Sequence, residues 1–421
     1  MKTALKLHFY LNTKKISFND IIEGKKIYVS EEELSIIEFC KKWITGTKNF
    51  VFQTSGSTGT PKQITLTRKQ MEASAKATIS YLSINTNQAV FTNQTAFICI
   101  NTNYIGGIMM IVRALMANML MVIVAPTANP LKDNYLELIT EITSTKTRFN
   151  IHLTFAAFVP LQLQKILTEK ATLGNVGNIN NKLILDNMKA ILVGGASLSE
   201  TQENLFKTIS APVYQTYGMT ETASHIALRR INPPENLHSN YNYPINNLPK
   251  NTLDNDYFEI LPDVKTFTDE RGCLVITAPS TNFEEVITND LVEFMHQNNK
   301  KYLRFLGRID NIINSGGVKV QLEKVEKAIE IFLSDIDLEE KFKKYSNKSF
   351  YCIGLPDETL GQRLIAVFEG IILPKELEKS LFEYLAKNLS KYEIPKEIIY
   401  KDTFERTETG KIIRKQVIVN F

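Results

Sequence analysis

The sequence predicts an α/β protein of two or three domains, and three observations predict it. The apolar run from Ile105 to Ala125 is interrupted by Arg113 and Asn118. An unpaired charge in lipid is costly, so this run is a buried helix followed by a strand rather than a membrane span. Val122 to Ala125, closed by Pro126, is apolar at consecutive positions, as a core strand of a parallel sheet is. Leu183 to Leu192 reads as strands around Asp186 that end in the turn Val193-Gly-Gly-Ala196, at the carboxyl edge of a sheet where ligands bind. At 421 residues and 43% hydrophobic content, the chain is long enough for more than one core.

In chain order, the first fifteen residues hold no long apolar core before Asn12 and Lys14, so no signal peptide is expected. Ser30 followed by Glu31, Glu32 and Glu33 opens a helix. Asn49 to Gln53 reads as a strand and Ile64 to Thr67 as its return, which makes Thr54 to Lys62 a hairpin tip. Thr67 and Gln70 form a capping box for a helix on which Met71, Ala75, Ile79 and Leu82 recur at helical spacing. Residues 233–269 are rich in Asn and Pro with weak periodicity, and Gly272 to Pro279 is a strand; together they suit a small β-subdomain. A helix from Glu323 to Leu333, a loop carrying Lys341, Lys343, Lys344 and Lys348, and a strand from Phe350 to Gly354 give the last part an α+β pattern.

Forty-nine basic residues against forty-five acidic ones leave a net charge of +4, too weak a bias to imply nucleic acid. Cys40, Cys99, Cys273 and Cys352 are scattered, with no CxxC pair. That pattern suggests neither a disulfide framework nor a zinc site and fits a reducing cytoplasm.

The chemistry begins at the hairpin tip. Its nine residues carry five hydroxyls, two glycines and one lysine. Glycines let backbone N–H groups approach an anion closely, hydroxyls add donors, and Lys62 adds a mobile positive charge, so the loop is built to hold phosphate. It is not a Walker loop, because Pro61 and Gln63 stand where that pattern requires Gly and Ser or Thr. Downstream, no acidic residue occurs from Val90 through Gly107, while Asn101, Asn103 and Tyr104 are polar groups able to line a pocket or to form turns.

The string Thr54, Ser55, Gly56, Ser57, Thr58, Gly59 and on to Lys62 is similar to the phosphate-loop signature of the acyl-adenylate-forming superfamily, which includes acyl-CoA ligases, peptide-synthetase adenylation domains and luciferases. Further motifs follow in the family's order. Gly195 and Ala196 match the small residues that pack against adenine. Val213 to Thr222 matches the second diagnostic motif, in which Tyr217 and Gly218 line the adenine site, Thr220 bonds the α-phosphate and Glu221 ligates Mg²⁺. A carboxylate suits a hard cation that bridges phosphate oxygens. Thr288-Asn-Asp290 resembles the segment whose aspartate takes the ribose hydroxyls, with Asn289 replacing a glycine. Phe305 to Val320 resembles the hinge motif, with Arg308 reaching the ribose or phosphate, Asp310 as hinge, Asn311 in place of a second aspartate, and Gly316 and Gly317 beside the pantetheine channel. Arg406 to Arg414 resembles the final motif and makes Lys411 the catalytic lysine, which offsets the charge that grows as a carboxylate attacks phosphate.

The resemblance covers residues 53–414 and implies a large N-terminal domain of α/β subdomains with a small β-subdomain over residues 1–309, and a small mobile α+β domain over 310–421. The phosphate loop usually lies much further into the chain, so the N-terminal region is expected to be short. The implied reaction joins a carboxylate, ATP and Mg²⁺, then coenzyme A. The missing aspartate disfavours amino-acid substrates. Within the superfamily, Thr220 to Arg230 resembles the o-succinylbenzoate–CoA ligases of menaquinone synthesis. That aromatic acid carries a second carboxylate, for which Ser224, His225, Arg229 and Arg230 are candidate partners. The loop lysines are either solvated or meet CoA phosphates. Another aryl- or acyl-CoA ligase, or an enzyme loading a carrier protein, is the alternative. No membrane insertion is expected, and a homodimer is compatible with the reading without being demanded by it.

Overall fold

The structure, a computed structural model, describes residues 8–12, 14–53, 62–83, 94–131, 153–169, 181–232, 256–334, 340–345, 349–370, 372–406 and 412–414. Six parallel strands form the centre, in the order His8–Leu11, Leu120–Ile123, Thr95–Ile98, Leu153–Phe158, Ala190–Val193 and Val213–Met219. Thr95–Ile98, Leu153–Phe158 and Ala190–Val193 are buried at every position, as strands covered on both faces must be. The strand expected at residues 122–125 lies two residues earlier and pairs in parallel with Thr95–Ile98. The helix before it runs Ile105–Met116 and is buried along most of its length.

Residues 183–186 are not strand. Asn181–Asp186 is a helix, and the strand starts only at Ala190. Asn181 and Leu185, four apart, share the buried face, and Lys182 pairs with Asp186 at 2.7 Å across one turn. The segment's short apolar run fits either period, and only packing selects the helical one.

Helices cover both faces of this sheet. Arg68–Tyr81 and Ile105–Met116 bring Met71, Ala75, Ile79 and Met109 to one core. Pro160–Thr168 and Glu200–Phe206 bring Leu163, Ile166 and Phe206 to the other. Beyond Val213–Met219 the sheet turns antiparallel through Ser224–Arg230, Tyr257–Ile260, Lys300–Arg308, Val286–Gln297, Cys273–Thr277 and Lys265–Thr268. These strands have a core of their own, around Phe258, Ile260, Leu274, Ile276 and Leu303. The expected β-subdomain is thus the hydrogen-bonded continuation of the main sheet.

A second sheet of five strands starts at Ile312–Ser315 and carries helices Leu322–Ser334 and Lys375–Asn388. Its core, with Val325, Ile329, Leu364, Phe368 and Leu381, is separate from the others. The protein therefore has a mixed α/β fold with a large N-terminal and a smaller C-terminal domain. The two meet where helix Leu322–Ser334 packs on helix Glu200–Phe206, and Ser334 donates to the Glu200 carboxylate at 3.1 Å. Beside it, burial pushes the Glu330 carboxyl up to about 7, against the opposing effect of Lys327 and with the help of Glu200 and Glu203. Among the described residues no helix is long and apolar enough to cross a membrane. The four cysteines are buried and unpaired with one another.

Candidate active site

The phosphate-loop residues Thr54, Ser55, Gly56, Ser57, Thr58 and Gly59 lie outside the described residues. Their mount does not. Asn49–Gln53 and Gln63–Thr67 form an antiparallel hairpin in register from Asn49↔Thr67 to Gln53↔Gln63, with exposed Lys62 directly before the second strand. The Thr67–Gln70 capping box then opens the helix Arg68–Tyr81. That helix ties the hairpin to the next motif, because the Ser74 hydroxyl donates to the Ala223 carbonyl at 2.7 Å.

The parallel part of the sheet ends at Met219, and the chain turns there through one 3-10 turn, Thr220–Thr222. Ala223 and Ser224 both take positive φ, at 51° and 91°. Two consecutive non-glycine residues in that region are strained and need support. Support comes from Thr222, whose hydroxyl accepts from the Met219 N–H at 3.1 Å and donates to the Ser224 carbonyl at 2.6 Å. Gly218 is required just before the turn, since a Cβ there would overlap the backbone of Ser224 and His225. Thr220 and Glu221 thereby stand half-exposed at the carboxyl end of the central strands. Gly195 and Ala196 are exposed just beyond the neighbouring strand Ala190–Val193.

Tyr217, Asp290, Arg308 and Asp310 are brought into one chain of hydrogen bonds. The Tyr217 hydroxyl donates to Asp290 at 2.6 Å, Arg308 donates to Asp290 at 3.3 Å and to Asp310 at 2.7 Å, and the Asn289 amide donates to Asp310 at 3.0 Å. Burial raises both the Asp290 carboxyl and the Tyr217 phenol, and for Tyr217 the Asp290 charge adds to it. The Tyr217 ring lies between Phe258 and Phe305, with centroids at 5.9 and 6.3 Å. Gly316 and Gly317, with φ of 60° and 81°, form the two-residue turn between Ile312–Ser315 and Val318–Gln321. Lys411 lies outside the described residues; Arg406 and Ile412, flanking it, form an antiparallel bridge.

The residues proposed from the sequence for the acid pocket are divided. Asn101 acts as a turn former, its carboxamide accepting from the Asn103 N–H at 2.8 Å, and Tyr104 is the first residue before the helix Ile105–Met116. Ser224 and His225 face the helices Arg68–Tyr81 and Ile105–Met116, where both contact Arg113. Arg229 is on the opposite face, paired with Glu203 on helix Glu200–Phe206, with Asp256 at 3.3 Å, and with Gln215. A β-bulge between His225 and Ala227 separates them, because one extra residue reverses the alternation of side chains. Arg230 donates to the Asn232 carbonyl at 2.7 Å.

Arg113 is the residue that sequence reasoning missed. It is 2% exposed, and its guanidinium donates to Thr78 at 3.2 Å, to Ser224 at 3.2 Å and to His225 Nδ1 at 3.4 Å. Among the described residues it has no carboxylate partner. Burial lowers it to about 9, which leaves it charged at neutral pH. Its signal in the sequence is a lone arginine in an apolar helix, which by itself argues only against a membrane span. No group of three His, Cys, Asp or Glu side chains among the described residues could hold a metal ion. Glu221, half-exposed at the turn, is a hard oxygen donor of the kind that Mg²⁺ takes.

The AMP-binding enzyme family matches residues 46–282, more than half of the chain, and the AMP-binding enzyme C-terminal domain matches residues 348–411. A 2-succinylbenzoate–CoA ligase of Staphylococcus aureus strain JH9 is 30% identical over 241 residues, covering 55% of this chain and 44% of that protein. The chain thus spans less than half the length of this curated relative. An acyl-CoA synthetase (AMP-forming)/AMP-acid ligase II-like protein from Dyadobacter fermentans has a solved structure that is 34% identical, with 93% of this chain and 95% of that one covered at a TM-score of 0.52. The Bacillus subtilis o-succinylbenzoate coenzyme A synthetase, solved with ATP and a magnesium ion, is similar in fold at 18% identity, with 87% and 69% covered and a TM-score of 0.60.

Proposed function

The chain belongs to the AMP-binding enzyme family, and from that premise we propose that it is an AMP-forming acid–thiol ligase. A carboxylate oxygen attacks the α-phosphorus of ATP, pyrophosphate leaves, and the acyl-adenylate then passes its acyl group to the thiol of coenzyme A with release of AMP. Asp290, held by Tyr217 and Arg308, takes the ribose hydroxyls, and Thr220 follows the phosphate. Glu221 would hold Mg²⁺, which would supply charge neutralisation at the phosphates. Lys411 offsets the charge between the two reacting anions. We place the domain boundary at 309/310, with Asp310 as the hinge about which the C-terminal domain exchanges the Lys411 face for the Gly316-Gly317 face between the two half-reactions.

The acid we propose is o-succinylbenzoate. One observation carries this choice: Arg113 is a buried cation without a carboxylate partner among the described residues, and it contacts Ser224 directly after the Glu221 turn. A substrate with a second carboxylate would supply the missing charge, and a charge-assisted bond to guanidinium is the strong kind. The alternative, another aryl- or acyl-CoA ligase or a carrier-protein-loading enzyme, shares every other group.

Pyrophosphate release, measured with ATP, Mg²⁺ and o-succinylbenzoate with and without CoA, and beside benzoate, phenylacetate and a medium-chain fatty acid, tests the proposal. Turnover selective for o-succinylbenzoate and dependent on CoA is expected. Turnover with only the monocarboxylates would refute the substrate and keep the reaction class. Lys411→Ala is expected to lose adenylation yet still form thioester from preformed acyl-adenylate; equal loss of both halves would refute the role given to Lys411.

A further inference from the structure

We infer that His225 and Thr78 are positioning residues that hold the Arg113 guanidinium in one orientation, as a receptor of fixed charge for the second anionic group of the acid. The inference rests on the substrate reading above and extends it to two residues that do not touch the acid themselves.

The hydrogen bonds allow only one arrangement of protons. The Thr78 hydroxyl donates to the Ser74 carbonyl one helical turn back, at 3.1 Å. So placed, it accepts from both of its other neighbours, Arg113 Nε at 3.2 Å and His225 Nε2 at 2.8 Å, and the guanidinium, which can only donate, requires His225 Nδ1 to be the acceptor of the neutral ring. His225 therefore carries its proton on Nε2. Its Nδ1 keeps a lone pair and accepts from the Arg113 terminal nitrogen at 3.4 Å, with the Ser224 hydroxyl 3.5 Å away. The opposite tautomer would set an N–H against the guanidinium and leave Thr78 short of a donor. An imidazolium would place two cations in contact inside the core.

Burial agrees with this. His225 is 4% exposed and Thr78 is fully buried. Burial first, and the Arg113 charge second, hold the imidazole well below its ordinary range. A histidine that merely filled space would not need both ring nitrogens engaged. Here one nitrogen is anchored to the helix Arg68–Tyr81 through Thr78 and the other accepts from the cation. The anchor reaches the strained turn as well, since Ser74, which receives the Thr78 proton on its carbonyl, donates through its hydroxyl to Ala223. The same helix thus orients the guanidinium and the Glu221 turn.

Two measurements test this. In protein labelled with ¹⁵N-histidine, His225 is assigned among the five histidines by the signal lost in His225→Asn. It should show the neutral Nε2–H tautomer without titrating between about pH 5.5 and 8, where an ordinary histidine titrates. A proton on Nδ1, or titration in that range, would overturn the inference. In kinetics, His225→Phe and Thr78→Val should raise KM for o-succinylbenzoate roughly tenfold to hundredfold, the range of a hydrogen bond to a charged group, with KM for ATP unchanged. Thr78→Ser, which keeps the hydroxyl, should restore it, and neither effect should survive in an Arg113→Met background. If Arg113→Met abolishes the preference for o-succinylbenzoate while the His225 and Thr78 variants leave it intact, the substrate reading stands and the positioning role falls. If Arg113→Met changes no preference, both fall. Should a variant fail to fold by circular dichroism, the tautomer measured in the unsubstituted protein decides.

Discussion

Arg113 and Arg229 are both buried guanidiniums beside the same strand, Ser224–Arg230, on opposite faces of one sheet. Arg229 meets Glu203, Asp256 and Gln215, so its charge is neutralised within the protein. Arg113 meets two hydroxyls and a neutral imidazole. Desolvating a charge is expensive, and a folded chain keeps an uncompensated one only where something else makes use of it. The difference teaches that burial of an arginine says little about its role, whereas the charge of its partners says much. Arg229 holds helix Glu200–Phe206 to the sheet; Arg113 is the cation that the proposal above assigns to the anionic group of the acid.

Exchanging each arginine for an uncharged chain of similar length breaks the comparison most directly. Arg229→Met leaves Glu203 half-buried without its cation and should lower stability by about 3 kcal/mol or more, read as a shift in the denaturation midpoint with little change in KM for any substrate. Arg113→Met removes a charge that no carboxylate among the described residues neutralises. Its melting temperature should stay level or rise, while kcat/KM for o-succinylbenzoate should fall roughly a hundredfold, near the upper end for one charge-assisted bond. If Arg113→Met destabilised and Arg229→Met impaired substrate binding, the assignment of the two faces would be reversed.

A smaller effect sharpens the picture on the compensated face. Glu330 packs against Glu200 and Glu203, with Lys327 beside it at 3.9 Å, and burial raises its carboxyl to about 7 from 4.5. The folded state therefore favours the protonated form. That contribution is fully present below about 4.5 and is lost as pH rises through about 7. Melting temperature should fall over that window, by an amount corresponding to roughly 1–3 kcal/mol. Glu330→Gln should flatten the dependence, and an unchanged slope would locate its source elsewhere.

Several elements were legible because their causes are local. The helix start at Ser30 and the capping box at Thr67–Gln70 are both formed, and the structure adds a capping box at Ser30–Glu33, since each needs only two side chains three residues apart. The hairpin at Asn49–Thr67 follows from two short apolar runs around a polar tip. The strand expected from Leu183 is helical up to Asp186, because the apolar run there is too short to display a period. The setting of Asp290 was not legible: an isolated Asn-Asp pair suggests a turn, whereas it sits within the long strand Val286–Gln297, in register with Arg308.

The order of motifs, the residue types able to hold phosphate, the capped helices and the paired hairpin strands are written along the chain, since neighbours in sequence suffice to produce them. Which side of the sheet His225 and Arg229 occupy is not. Their spacing of four predicts one face, and a single bulged residue between His225 and Ala227 places them on two. Nor could the solitary charge of Arg113 be recognised without the fold. Its partners Ser224 and His225 stand 111 and 112 residues away, and the absence of a carboxylate around it among the described residues is a property of the packed neighbourhood, to which no stretch of sequence corresponds.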